Sequence, residues 1–167
     1  MQLIGALRGW ADSVRRNHAL EHATVAVLLA RHGPRRIAGR ASVDGFFIIG
    51  DVDLAELRSC ADEALVRLNR GQSSLAVSPL CGTNIAMAGL LAASGATLML
   101  TRGPKMFGNA FTAAMVGALL SQPVGRAVQQ HVTTSHNLAG VEVLGAREVF
   151  RNLKKVDTRR RSDYLEV

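Results

Sequence analysis

A chain of 167 residues is long enough for one core, but too short for two full-sized domains once a membrane hairpin is subtracted. Apolar residues make up 48% of it, yet only seven residues are aromatic; the excess is Ala, Leu, Val and Gly, the composition of closely packed membrane helices. The formal charge of +7 is uneven, with ten Arg against eight acids in residues 1–72 and eight Lys or Arg against five acids in the last forty-two. Two cysteines, Cys60 and Cys81, exclude a disulfide framework, and Met1–Arg8 lacks a signal-peptide pattern, so a cytoplasmic head is expected.

In chain order, apolar residues recur with helical spacing from Asp12 to His32, and Gly33-Pro34 stops the pattern. Two short runs follow, Arg36 to Ser42 and Phe46 to Gly50. Val43-Asp44-Gly45 between them predicts a β-hairpin turn. Asp53 is placed to cap a helix reaching about Asn69, whose apolar face is Leu54, Leu57, Ala61, Ala64, Leu65 and Leu68. Ser74 to Val77 reads as a strand.

No charged residue occurs from Ser73 to Thr101, and a second uncharged run spans Met106 to Gly125. Arg102-Gly103-Pro104-Lys105 joins them, which predicts a transmembrane hairpin of two helices, the first from Asn84 to Leu100. Gly89-xxx-Ala93 and Ala113-xxx-Gly117 would give each helix a small face for close contact. A buried helical pair in a soluble oligomer is the alternative. Arg67, Arg70 and Arg126 flank the outer ends, which slightly favours both termini inside. Gly140 to Leu144 then reads as a returning strand and Arg147 to Lys155 as a short helix.

The expected fold is therefore α+β, a small sheet with two or three helices interrupted by a hydrophobic two-helix hairpin. Its divisions are an α/β head (1–78), the hairpin (79–131), the returning strand and helix of the head (132–155) and a basic flexible tail (156–167). Lys154, Lys155, Arg159, Arg160 and Arg161 point to anionic lipid headgroups ahead of nucleic-acid phosphates, with a solvated tail that has no partner as the equal alternative.

The chemistry is concentrated in His18-Ala19-Leu20-Glu21-His22. On a helix, His18 and His22 lie one turn apart with Glu21 beside them, so two imidazoles can bind one metal while a carboxylate reaches its water. Ser78-Pro79-Leu80-Cys81-Gly82-Thr83-Asn84 delivers a thiol to the start of the first hydrophobic helix. The positive end of that helix favours a thiolate, which is both a nucleophile and a soft metal ligand. Cys81 is the preferred third ligand, and His131 and His136, just past the second hydrophobic helix, are the alternatives. Cys60, among Glu56, Glu63 and Arg67, reads as incidental.

The pattern H-x-x-E-H resembles the inverted zincin motif of the pitrilysin and insulin-degrading-enzyme family of zinc peptidases. That resemblance implies His18 and His22 as zinc ligands and Glu21 as general base. The third ligand of that family is a downstream Glu, whereas here no Glu lies between Glu63 and Glu142. Asn17-His18-Ala19-Leu20-Glu21-His22-Ala23, Gly45-Phe46 and Cys81-Gly82-Thr83-Asn84 together also resemble an uncharacterised bacterial family of small membrane-associated proteins, over roughly residues 15–135. This implies membrane association and groups the two motifs.

Three functions follow as expectations. The first is a membrane-bound zinc hydrolase, with His18, His22 and Cys81 as ligands and Glu21 activating water against a peptide substrate. The second is a non-enzymatic subunit or assembly factor of a membrane complex, with the Gly/Ala hairpin docking on a membrane-protein partner or a second copy and the His-Glu cluster as structural glue. The third is a Cys81 nucleophile with His22 as its base.

Overall fold

The computed structural model describes residues 2–161. They form an α+β arrangement of four α-helices and a four-stranded antiparallel sheet, divided into two units. The first unit combines Met1–Val77 with Val132–Val167, and the second is Ser78–His131.

Within the first unit, α1 (Gln2–His32) begins ten residues earlier than the apolar periodicity predicts. Gly5 and Gly9 weaken a helix without stopping it, and the extension carries Leu3, Ile4, Leu7 and Trp10 exposed. Its C-terminus follows the expected rule. Gly33 takes φ 76°, its N–H donates to the Leu29 carbonyl at 2.9 Å, and Pro34 prevents continuation.

Strands β1 (Ala38–Ser42) and β2 (Gly45–Ile49) turn on Val43-Asp44, with the Ser42 hydroxyl donating to Asp44. Gly45 is required there, because it takes φ 146° and a methyl on it would overlap the Val156 carbonyl. Helix α2 (Leu54–Asn69) starts on the Asp53 cap, whose carboxylate accepts from Ala55 N–H at 2.8 Å and Glu56 N–H at 3.0 Å. The core lies between the helices and the sheet, with Leu20, Val27 and Leu28 of α1 and Leu57 of α2 over Phe46, Ile48 and Val156.

Two predicted elements are corrected. Ser73–Ala76 is a 3-10 turn rather than a strand, closed by Leu75 N–H on Gln72 and Val77 N–H on Ser74. Likewise, the segment expected as a helix over Arg147–Lys155 is a hairpin of β3 (Val141–Phe150) and β4 (Leu153–Arg160). Asn152 makes the turn possible with φ 62°, a conformation asparagine tolerates better than most residues.

Strand β4 then fills the interior of the sheet, in the order β1-β2-β4-β3. The segment expected as a flexible tail from 156 is therefore strand as far as Arg160, and its remainder from 162 lies outside the described residues. Lys154 and Lys155 are buried. Lys154 donates to the Gly50 carbonyl at 2.9 Å, and Lys155 bonds Asp44 and Asp157, so neither is placed to meet a lipid headgroup.

In the second unit, α3 (Gly82–Leu100) and α4 (Phe107–Val128) run antiparallel against each other. Small residues permit the approach: a methyl on Gly95 would sit 2.9 Å from the Ala113 carbonyl, and one on Gly117 2.5 Å from that of Leu91. The expected Ala113-xxx-Gly117 face is thus at the contact, and Ser121 and Gly125 continue it as buried residues. Gly89 is elsewhere, with open space around it. Among the described helices, α3 is long and apolar enough to cross a membrane. Polar residues such as Asn109, Gln122 and Arg126, with Pro123, set α4 apart from it.

Candidate metal centre

His18 and His22 project from one side of α1, their ring centroids 4.3 Å apart and their planes tilted by 60°. Each ring is anchored by its Nδ1 atom. His22 Nδ1 lies 2.8 Å from the Ala76 carbonyl in the 3-10 turn, and His18 Nδ1 lies 2.9 Å from the Thr133 carbonyl. A carbonyl can only accept, so both Nδ1 atoms carry the hydrogen. In the neutral rings the electron pair is then on Nε2, the tautomer a metal requires.

Both Nε2 atoms face one carboxylate oxygen. Glu21 Oε2 lies 4.0 Å from His18 Nε2 and 3.9 Å from His22 Nε2, too far for a hydrogen bond to either. The Glu21 side chain is 8% exposed and that of His22 4%, against 18% for His18.

Parts of this arrangement lie beyond what the helical spacing of the histidines implies. Gly39 of β1 lets the Glu21 carboxylate pack against the strand, since a methyl there would overlap Glu21 Oε1. Ala76 and Thr133 act through their backbone oxygens. The Thr133 segment is itself held to α1, with Ser135 N–H donating to the Arg15 carbonyl at 3.1 Å and Arg15 Nη2 to the Thr134 carbonyl at 3.3 Å.

Cys81 caps α3 in the second unit, its sulfur accepting from Thr83 N–H at 3.4 Å. A helix N-terminus favours a negatively charged sulfur there. Chain length limits how far it can lie from the histidines. It follows Ala76 by five residues, so at most about 18 Å of extended chain separates it from the carbonyl holding His22. His131 and His136 are both exposed. Cys60 belongs to the core, where burial pushes its thiol above the ordinary range and keeps it protonated. Two surface hollows of the first unit have other linings, one around Leu144–Arg147 and Asp157 and a small one around Arg16, Asn17 and Thr158.

A family model described as a domain of unknown function (DUF6391) matches residues 13–146. The chain belongs to this DUF6391 family. The matched span runs from the start of the histidine-bearing stretch of α1, through both helices of the second unit, into β3. An uncharacterised protein of Picosynechococcus sp. is 36% identical over 136 residues, which cover 73% of this chain and 66% of that relative. The chain therefore spans about two thirds of the length of the curated relative it matches. No solved structure matches it.

Proposed function

We propose that this DUF6391 protein is a membrane-associated metalloprotein in which His18 and His22 hold a metal ion, with Cys81 as the third ligand that the sequence suggests. The observation that carries the proposal is the double anchoring of the imidazoles. A lone buried histidine satisfied by a carbonyl is ordinary; two adjacent ones, both fixed with Nε2 toward one glutamate oxygen, match the way backbone carbonyls orient metal-binding histidines. A donor set of two imidazoles and a thiolate suits zinc.

Glu21 takes its role from the same geometry. Glu21 Oε2 stands 3.9–4.0 Å from both Nε2 atoms, so it would reach a water on a metal that those atoms held. This is the base position of the inverted zincins that H-x-x-E-H resembles, and it supports hydrolysis, with a peptide as substrate. Burial of Glu21 supports the second reading, a non-enzymatic subunit or assembly factor of a membrane complex in which the His-Glu cluster is structural glue.

Membrane association is drawn from the second unit. Helix α3 spans about 28 Å at the α-helical rise, close to a hydrocarbon core. Ile85, Leu90 and Leu98 on α3 and Phe111 and Leu119 on α4 are exposed, which supports α4 as the returning arm of a transmembrane hairpin. Arg67, Arg70 and Arg126 favour the cytoplasmic side for the first unit.

Purification from detergent-solubilised membranes tests both parts. The protein is expected to resist carbonate extraction and to carry about one metal ion per chain. Release as a folded soluble oligomer would overturn the hairpin, and protein that neither carries nor takes up metal would overturn the metal centre.

A further inference from the structure

The base of the second unit is closed by a knot of amides that the metal ligands do not explain. Asn84 Nδ2 donates to the carbonyls of Ser78 at 3.2 Å and Pro79 at 2.9 Å. Gln129 Nε2 donates to Asn84 Oδ1 at 3.1 Å, and Ser78 N–H donates to Gln129 Oε1 at 2.9 Å. Gln129 is 0% exposed and Asn84 3%. Gly125 makes room, because a methyl there would overlap Asn84 Oδ1. Gln129 also opens a single π-helical turn, Gln129–Thr133, an irregularity often found next to functional sites.

The positions tied together are informative. Ser78 stands two residues after Ala76, whose carbonyl orients His22, and three before Cys81. Gln129 stands four residues before Thr133, whose carbonyl orients His18. An apolar helix pair needs no buried amides to pack, and one that is fully bonded serves to fix a single local arrangement.

We propose that Asn84 and Gln129 are positioning residues of the metal centre. By bonding Ser78 to Gln129, they hold in register the two passages of chain that carry the Ala76 and Thr133 carbonyls and the turn ending in Cys81. This inference rests on the metal reading above and assigns no ligand role to either amide.

The test uses the full chain in detergent with Co(II), whose thiolate charge-transfer band reports the sulfur ligand directly. Gln129→Met nearly keeps the volume and removes the bonds to Ser78 and Asn84, and Asn84→Ala removes those to Ser78, Pro79 and Gln129. Each is expected to lower Co(II) affinity at least about tenfold, as loss of groups that orient metal ligands does, and to weaken the thiolate band. Gly117→Ala is the control for a merely structural role, since it forces α3 from α4 at Leu91 and should lower the melting temperature without that loss.

Unchanged affinity and band in Gln129→Met and Asn84→Ala would overturn the positioning role while leaving the metal centre in place. An equal loss in Gly117→Ala would also overturn it, by showing a generic effect of loosening the hairpin. If the unsubstituted protein takes up no cobalt, the metal reading falls and this inference with it.

Discussion

Replacing His22 by alanine is expected to remove the metal from the purified protein altogether. Three protein ligands are the fewest that usually hold zinc, and two leave a site that exchanges its ion during purification. Of the two histidines on α1, His22 is the more enclosed, and its Nδ1 is bonded to the Ala76 carbonyl. His18→Ala and Cys81→Ser should lose the ion as well. Metal content per chain, measured alongside the melting temperature, checks this. Full occupancy in all three variants would contradict the ligand set, and loss in the two histidine variants alone would remove Cys81 from it.

Glu21→Gln is expected to separate chemistry from architecture. The amide matches the carboxylate in shape but cannot take a proton from water, so a general base is lost while both imidazoles keep their carbonyl anchors. The metal should remain, and cleavage of a fluorogenic peptide mixture by the unsubstituted protein should fall by at least about a hundredfold, the range in which base catalysis contributes. Gly39→Ala should act in the same direction, because the added methyl displaces the Glu21 carboxylate without changing its charge. Loss of metal in Glu21→Gln would make Glu21 a ligand. A metal-loaded protein without peptidase activity, whose Glu21→Gln variant only melts earlier, would establish the structural reading instead.

The elements legible in the sequence were those governed by local rules. Asp53 caps α2, Gly33 ends α1, and the Asp44-Gly45 signal marks the first hairpin, because each depends on one or two side chains next to the backbone they serve. The second hairpin was misread as helix because Arg147–Lys155 has strong helix formers, while its strand state depends on β4 pairing with β2, more than a hundred residues earlier in the chain.

At the site, the helical spacing of His18, Glu21 and His22 was enough to bring three groups to one face. What sequence could not show were the backbone atoms that orient them: a carbonyl at position 76 or 133 exists whatever residue stands there. Gly39 was the one available signal, a glycine inside a short strand where a neighbouring group approaches closely. Lys154 and Lys155 illustrate the opposite error. Their charge suggested a lipid contact, whereas pairing with Asp44 and Asp157 and a bond to the Gly50 carbonyl hold them inside the fold.

X-ray absorption at the metal edge tests the central claim most directly, because it reads the ligand atoms without requiring a substrate. Protein purified with its metal should show two nitrogen neighbours at about 2.0–2.1 Å and one sulfur at about 2.3 Å, with a light atom completing the shell. A shell of oxygen and nitrogen without sulfur, or the same spectrum from His18→Ala and His22→Ala, would contradict a centre built from His18, His22 and Cys81.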